Sequence, residues 1–123
     1  MKKTIAIPLE KDVLSAHFGH CQHFAIAETK GNKITNIQKH LPPEHTPGLY
    51  PIWLLQYGVT DIIAGGIGQK AINLFNQNNI NVFVGAPIKS AEDIIIDFLN
   101  NDLELSANYC KPGNKKDHEN CTG

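Results

Sequence analysis

A short segment near the start of the chain concentrates side chains that bind soft and borderline metals. It reads His17-Phe18-Gly19-His20-Cys21-Gln22-His23 and holds three imidazoles and one thiol within seven residues. Thiolate and imidazole are ligands of zinc, copper, iron and metal–sulfide clusters. Adjacent side chains point in different directions, so all four groups cannot bind one ion. We expect two or three of them to bind a metal that also has ligands outside this segment. The alternative is a histidine-rich surface loop with Cys21 as a small packed residue, and the density of the segment favours the metal site.

A second candidate ligand, His45, lies in the proline-rich segment Leu41-Pro42-Pro43-Glu44-His45-Thr46-Pro47-Gly48. Prolines stiffen the chain and lower the entropy cost of holding a ligand in place. From the residues alone, a solvated loop histidine is an equally good interpretation.

A glycine-rich turn is predicted between a strand and a helix, at Ala64-Gly65-Gly66-Ile67-Gly68-Gln69-Lys70-Ala71. It matches G-x-G-x-x-A, but it follows the fourth predicted strand, and the next strand ends at Gly85-Ala86, where a dinucleotide site needs an acidic residue. No Gly-Lys-Ser/Thr follows, so the turn is not a P-loop. Two interpretations stay open: backbone amides that hold an anion at a helix N-terminus, or a tight turn whose glycines permit close packing.

The end of the chain carries three further candidate ligands, Cys110, His118 and Cys121. The spacing His118-x-x-Cys121 suits a metal, but residues 111–123 contain no aliphatic side chain and are rich in Lys, Asn and Gly. That composition is typical of a mobile tail, so a solvated tail with incidental ligands is the favoured interpretation.

Catalytic constellations are absent from the sequence. The first predicted strand has no acidic residue for a two-metal nuclease site, and no Gly-x-Ser-x-Gly elbow is found. The pair His20 and Cys21 is unsuited to nucleophilic catalysis, because sequence neighbours seldom reach hydrogen-bonding geometry. We therefore expect a protein that is not an enzyme.

The elements that must position these residues follow from hydrophobic spacing. Strands are predicted over 4–8, 24–29, 34–38, 59–64 and 80–84, and helices from Pro51, over 69–78 and from Ser90. The β-β-β-α-β-α-β-α order predicts an α/β fold with a five-stranded mixed sheet and helices on its faces. Ligands of such sheets lie beyond the carboxyl ends of the strands, here the loops 9–19, 65–68 and 85–87.

Length and composition restrict the classes of function. The chain has 123 residues, which suits one domain, predicted over 1–108 with a tail over 109–123. Its net charge is −1 and all 11 cationic side chains are Lys, which disfavours nucleic acid as a partner. An odd count of three cysteines does not indicate a disulfide framework, and neither a signal peptide nor a membrane span is recognisable. We expect a soluble, cytoplasmic protein that does not bind membranes.

Taken together, these blocks resemble the dinitrogenase iron–molybdenum cofactor biosynthesis family, which includes the NifX/NafY group, the C-terminal part of NifB and the molybdenum–copper orange protein. The similar blocks are His17 to Cys21 with Phe24, the proline-rich segment with Pro51 and Trp53-Leu54, and Gly58 through Ala71 continuing to Gly85-Ala86. Their order and spacing across residues 4 to 100 are more specific than any one block.

The resemblance implies a ribonuclease H-like three-layer fold without nuclease activity. It also implies that the protein binds, stores or delivers a metal–sulfur cluster, either iron- and molybdenum-containing or molybdenum–copper, in exchange with donor and acceptor proteins, as a monomer or homodimer. The implied ligands are Cys21, His20 and His45, with His17 nearby. Gly65, Gly66 and Gly68 would line the same pocket, and Lys70 would balance the negative charge of the cluster.

The sequence therefore leaves three functions open. The leading one is a non-enzymatic carrier of a metal–sulfur cluster. A simple zinc or copper buffer built on the same residues would hold a lone ion without inorganic sulfide. A nucleotide-binding or hydrolytic domain built on the turn over residues 65–68 would respond to ATP or NAD.

Overall fold

The computed structural model describes residues 2–15, 22–42, 49–105 and 107–109. Within these ranges the chain forms seven strands and three helices. They are β1 (Lys2–Glu10), β2 (Val13–Leu14), β3 (His23–Lys30), β4 (Lys33–His40), α1 (Leu49–Leu55), β5 (Asp61–Ala64), α2 (Gln69–Gln77), β6 (Asn81–Val84), α3 (Ala91–Leu99) and β7 (Ala107–Tyr109). The eight predicted elements occur in the predicted order.

The sheet contains two strands more than the predicted five. β2 has two residues and β7 has three, which is too short for a period-2 pattern to stand out from the surrounding sequence. β2 lies where we predicted a polar loop running on to Gly19. It folds back on β1, with Leu9 opposite Leu14 and Glu10 opposite Val13.

The sheet is mixed, as predicted, and its strand order is β4-β3-β1-β5-β6-β7, with β2 paired to β1. β1 is parallel to β5, and β5 is parallel to β6. β3 is antiparallel to β1, β4 to β3, and β7 to β6. The β3–β4 hairpin turns at Gly31-Asn32, where Gly31 has a φ of 61° that suits a residue without a Cβ atom.

Helices cover both faces of the sheet because successive strand residues point to opposite sides. On one face Ile5, Ile7 and Leu9 of β1 belong to a buried cluster with Ile94 and Ile95 of α3. On the other face a second buried cluster joins β1 and β3 to α1 and α2, through Ala6, Phe24, Ile26, Leu54, Ile72 and Phe75. The prediction of helices on the faces of an α/β sheet is confirmed.

The helix boundaries follow local signals. Ser90 is the N-cap of α3, and its hydroxyl accepts a hydrogen bond from the Asp93 N–H at 3.2 Å, as its spacing predicts. α1 begins at Leu49, two residues before the predicted start at Pro51, and the chain turns after it at Gly58, whose φ is 75°.

In the described part of the chain no helix has both the length and the apolar character needed to cross a bilayer. α2 and α3 each have nine residues, whereas a membrane-spanning helix needs about 20.

Candidate functional site

The parallel strands end together at one edge of the sheet, which we call the carboxyl edge. β1, β5 and β6 are parallel neighbours, so their last residues lie at this edge. β4 also ends there, because two successive antiparallel pairings restore the direction of β1. Two predicted site loops meet at this edge: the Gly85 N–H donates to the carbonyl oxygens of Ala64 at 3.0 Å and Gly65 at 2.9 Å. These two loops are therefore neighbours at the carboxyl edge.

The segment with the predicted thiol ligand starts and finishes at the carboxyl edge. The Ser15 N–H donates to the Pro8 carbonyl oxygen at 2.9 Å, and the Gln22 N–H donates to the Leu9 carbonyl oxygen at 2.7 Å. Residues 16–21 lie between these anchors and outside the described residues, and they include the predicted ligands His17, His20 and Cys21. Both flanking residues are thus bound to consecutive residues near the end of β1.

The segment with His45 is bounded by the same region of the sheet. It follows β4, whose last residue, His40, packs its ring against Tyr57 with 4.5 Å between centroids. It precedes α1, where the Tyr50 ring meets the Phe24 ring edge-on at 5.5 Å. Residues 43–48, including His45, lie outside the described residues.

An aromatic cluster of Phe24, His40, Tyr50, Trp53 and Tyr57 joins the flanks of the two segments. Phe24 is fully buried at its centre, and the Trp53 ring lies 5.6 Å from Phe24 and 5.3 Å from Tyr57. Offset and edge-on ring pairs add to the free energy of burying aromatic surface. The start of β3, the end of β4 and α1 are therefore held together. Sequence reasoning missed this cluster, although its aromatic residues flank both predicted ligand segments.

The glycine turn between β5 and α2 exposes backbone at the carboxyl edge. Gly68 is the N-cap of α2, with φ −74° and ψ 155°, and no side chain caps this helix start. A Cβ atom placed on Gly68 would meet nothing within 4 Å. Neither backbone conformation nor close packing therefore requires glycine at this position. The sequence left two interpretations of the turn open, anion binding by backbone amides and close packing at the glycines. Close packing has no support at Gly68.

Lys70, the predicted cation of the site, lies in the first turn of α2 with an exposed side chain. The unbonded N–H groups of a helix start carry partial positive charge. Lys70 and the start of α2 therefore place positive potential beside the glycine turn.

His23, the last residue of the histidine-rich segment, lies on the other face of the sheet from the aromatic cluster. It is the exposed first residue of β3, on the same face as Ala25 and Ala27 beneath α3. There Asp12 forms an ion pair with Lys39 of β4. The Lys39 hydrogen bond and charge, and to a smaller extent His23, lower the pKa of the Asp12 carboxyl group. The structure thus separates His23 from the aromatic side of the carboxyl edge.

The direction of β7 bears on the candidate ligands of the tail. Ala107 lies opposite Val84 at the carboxyl edge, and Tyr109 lies opposite Val82, further from that edge. The chain consequently leaves β7 away from the carboxyl edge. Cys110, His118 and Cys121 follow and lie outside the described residues.

Two cavities of about 270 Å³ open on the surface of the described structure. One lies between the β3–β4 hairpin and the start of α3 and is lined by Leu9, Asp12, Ile37 and Lys39 among others. The other lies beside Lys89, Asp97 and Asp102. Their described linings include residues of the predicted loops 9–19 and 85–87, but none of the predicted ligands, glycines 65–68 or Lys70. Among the residues that the structure describes, no group of three or more His, Cys, Asp and Glu side chains is arranged to hold a metal ion.

Known proteins share both the sequence pattern and the fold. Residues 1–101 match the family model for the dinitrogenase iron–molybdenum cofactor. An uncharacterized protein of Methanocaldococcus jannaschii is 32% identical over 106 residues, which cover 81% of this chain and 88% of that protein. The crystal structure of PH0822 is similar with a TM-score of 0.78 and 28% identity, over 84% of this chain and 94% of that one.

The apo form of the orange protein from Desulfovibrio gigas has the same fold, with a TM-score of 0.69 and 17% identity over 89% of this chain and 97% of that one. At that identity the likeness concerns the fold alone. The match over residues 1–101 and the relative at 32% identity both cover most of the chain. This protein therefore belongs to the dinitrogenase iron–molybdenum cofactor family.

Proposed function

We propose that this protein binds an anionic metal–sulfur cluster at the carboxyl edge of its sheet and passes the cluster on without catalysing a reaction. Family membership supports a role connected with the iron–molybdenum cofactor. The observation that carries the proposal is the common location of three features. The anchors of residues 16–21, the flanks of residues 43–48 and the uncapped glycine turn all lie at this one edge.

The proposed ligands are Cys21 and His45, with His20 and His17 as further donors. Cys21 directly precedes Gln22, whose N–H is bound to the end of β1. His45 lies in the segment whose flanks pack into the aromatic cluster. Thiolate and imidazole together suit iron, molybdenum or copper in sulfide clusters. The metal is either iron with molybdenum or molybdenum with copper.

Positive potential for an anionic cluster would come from Gly65, Gly66 and Gly68 together with Lys70. The open space at Gly68 lets a bulky anion approach the backbone N–H groups at the start of α2. The exposed side chain of Lys70 lies in the first turn of the same helix and would add a positive charge beside these N–H groups. A cluster held by few protein ligands and by backbone amides can be released to an acceptor protein.

The proposal also covers the fold family, the extent of the domain, the role of the tail and the partner proteins. The mixed sheet with helices on both faces agrees with the ribonuclease H-like arrangement that the resemblance implies. We propose one domain that extends through β7 to Tyr109, one residue beyond the predicted end at 108, followed by a tail that supplies no ligand. The direction of β7 supports a site without Cys110. Donor and acceptor proteins of cluster assembly are the proposed partners, and the carrier acts as a monomer or homodimer.

The test is metal and acid-labile sulfide analysis, with a visible spectrum, on protein purified without oxygen. We expect molybdenum or iron with stoichiometric sulfide and broad visible absorption. Cys21→Ala should lose this absorption, whereas Cys110→Ala and Cys121→Ala serve as matched controls and should retain it. Retention of the full metal and sulfide content by Cys21→Ala would refute its role as a ligand.

Two other results would contradict the proposal and indicate a different function. Zinc or copper alone, without sulfide or visible colour, would identify a metal buffer. A thermal shift with ATP or NAD in metal-free protein would identify a nucleotide-binding domain on the glycine turn.

A further inference from the structure

The helix α1 has no polar side. Its residues, Leu49–Leu55, read Leu-Tyr-Pro-Ile-Trp-Leu-Leu and include no charged or amide side chain. On its inner side Tyr50 and Leu54 are buried in the cluster that contains Phe24. A surface helix normally presents polar residues to water, whereas a helix that is apolar all round is normally covered on every side. The outer side of α1 therefore has the composition of an interface.

Exposed apolar side chains concentrate on this outer side. The described structure has six exposed large apolar side chains, and four of them lie on α1 or next to it at 36–74% exposure: Leu41, Ile52, Leu55 and Tyr57. Ile52 and Leu55 are three residues apart and share one side of the helix. Leu41 follows His40, whose ring packs against Tyr57. We call these four residues the α1 patch. Single exposed apolar residues are common, whereas a patch of them marks an interaction site.

The sequence around the α1 patch is free of charge. Residues 45–60 contain no Lys, Arg, Asp or Glu, and the nearest lysines along the chain are Lys39 and Lys70. In a two-fold symmetric contact between identical chains each patch faces itself, so a charged residue near the axis would meet its own like charge. A charge-free patch avoids this repulsion. Docking surfaces for a different protein use complementary charges to steer the encounter, and the α1 patch has none to offer.

Other occupants match the α1 patch less well. Residues 43–48 and 111–123 of this chain contain no Leu, Ile, Val, Met, Phe or Trp, and residues 16–21 contain one such residue, Phe18. Helices that lie on a bilayer are rich in Lys and Arg on their polar face, and α1 has neither residue. A second copy of the chain matches both the apolar character of the patch and its lack of charge.

We propose that the α1 patch is the contact between two copies of this chain in solution. An apolar patch of this kind covers about 300–600 Å². Two such patches face to face bury about 600–1,200 Å² in total, which is the size of weak and transient contacts. The homodimer is therefore reversible and forms at high protein concentration. This inference goes beyond the proposed function, because it concerns the surface of the protein and requires no bound cluster.

The test is sedimentation equilibrium of the full-length protein at concentrations up to about 1 mM, which detects micromolar to millimolar dissociation constants. A reducing agent and a chelator exclude dimers linked by disulfides or metal ions. We expect the average mass to rise from that of one chain toward that of two, and high salt should not weaken the association. Trp53 is half-buried, with its ring 5.3 Å from the Tyr57 ring. Its fluorescence should shift to shorter wavelengths over the same concentrations.

Ile52→Glu and Ile96→Glu form a matched pair of variants. Both replace an exposed isoleucine of a helix, but Ile96 belongs to α3 on the opposite face of the sheet. Ile52→Glu places like charges in the symmetric contact and should weaken association at least about tenfold, whereas Ile96→Glu should associate as wild type. Circular dichroism and thermal unfolding check that both variants fold. Leu55→Gln, a milder change in the same patch, should also weaken association.

A mass of one chain for wild type at every concentration would overturn the inference. Phosphatidylcholine vesicles added to the same samples would then show whether the patch binds a membrane, and a lack of binding would leave a different protein as its partner. Association of a folded Ile52→Glu variant to the same extent as wild type would also overturn the inference, because the dimer would then use another surface. These results do not depend on metal content, so the proposed function is tested separately.

Discussion

Phe24 and His40 lie directly opposite each other on β3 and β4. Phe24 also pairs with Pro8 on β1, so Phe24 lies between β1, which anchors both flanks of residues 16–21, and β4, which precedes residues 43–48. Cys21 comes three residues before Phe24, and the proline-rich segment begins directly after His40. One strand pairing thereby brings together the flanks of two segments that are separate in the sequence. The aromatic cluster reinforces this pairing from one face of the sheet.

Removing the Phe24 ring should weaken both the fold and the site. Phe24 is fully buried and contacts the rings of Tyr50 and Trp53, so Phe24→Ala leaves a large cavity. We expect a loss of about 3–5 kcal/mol in the free energy of unfolding, measured by urea denaturation. Ile88→Ala is the control, because Ile88 is 60% exposed and its truncation should change stability by less than about 0.5 kcal/mol. A small effect at Phe24 would contradict the central role of this ring.

Alanine at Gly68 should reduce cluster loading with little effect on stability, whereas alanine at Gly58 should reduce stability with no effect on loading. Gly68→Ala introduces a Cβ at an ordinary φ with nothing within 4 Å, so stability should change by less than about 1 kcal/mol. The same methyl group should obstruct the cluster and reduce its bound stoichiometry. Gly58→Ala forces alanine to a φ of 75° and should lower stability by about 1 kcal/mol while loading stays normal. Metal analysis and urea denaturation of both variants check this pair, and normal loading of Gly68→Ala would argue against an anion at the turn.

Trp53 should report binding, because it is the single tryptophan of the chain and it lies in the aromatic cluster. A cluster that absorbs in the near ultraviolet and visible range quenches a nearby indole. We expect tryptophan fluorescence to fall as metal-free protein is loaded with iron, molybdate and sulfide. His45→Ala should weaken binding at least about tenfold, since even residues that only orient a metal ligand contribute that much. His118→Ala is the matched control, and equal titration curves for the two variants would exclude His45 as a ligand.

The ion pair of Asp12 and Lys39 predicts a specific dependence of stability on pH. The Lys39 hydrogen bond and charge lower the pKa of Asp12 below its ordinary value of 3.8. Because the pKa is lower in the folded state, the stabilisation is complete above about pH 4 and is lost as the pH falls through the folded value. Asp12→Asn should therefore be less stable than wild type at pH 7, with the difference shrinking below about pH 4.

Urea denaturation at several pH values and at two salt concentrations measures this effect. Both side chains are largely exposed, so the difference at pH 7 should also decrease at high salt. Asp102→Asn, which changes an exposed carboxylate without an ion pair in the described structure, is the control. A difference between Asp12→Asn and wild type that is independent of pH would contradict the ion pair.

Much of the fold could be predicted because its signals are local. The β3–β4 hairpin follows from alternating residues around Gly31-Asn32, and the start of α3 follows from the spacing of Ser90 and Asp93. Each signal involves residues within one turn or one hairpin, where propensity and hydrogen bonding act directly. The sequence by itself also determined the family, since the motifs and their spacing are properties of the chain.

Tertiary structure alone decided which distant residues meet. The turn at Gly31-Asn32 by itself would place Lys39 opposite Phe24, and the register shift between Glu28 and Thr29 places His40 there instead. Nothing local indicates this shift or that β1 lies between β3 and β5. Strand order and register depend on the summed packing of both faces of the sheet, which no single segment contains. The same holds for the left-handed turn at Lys11, which is disfavoured locally and is held by Gln22 from another part of the chain. The sequence thus determined the candidate ligands, and the strand pairing decided that the segments bearing them start from one edge of the sheet.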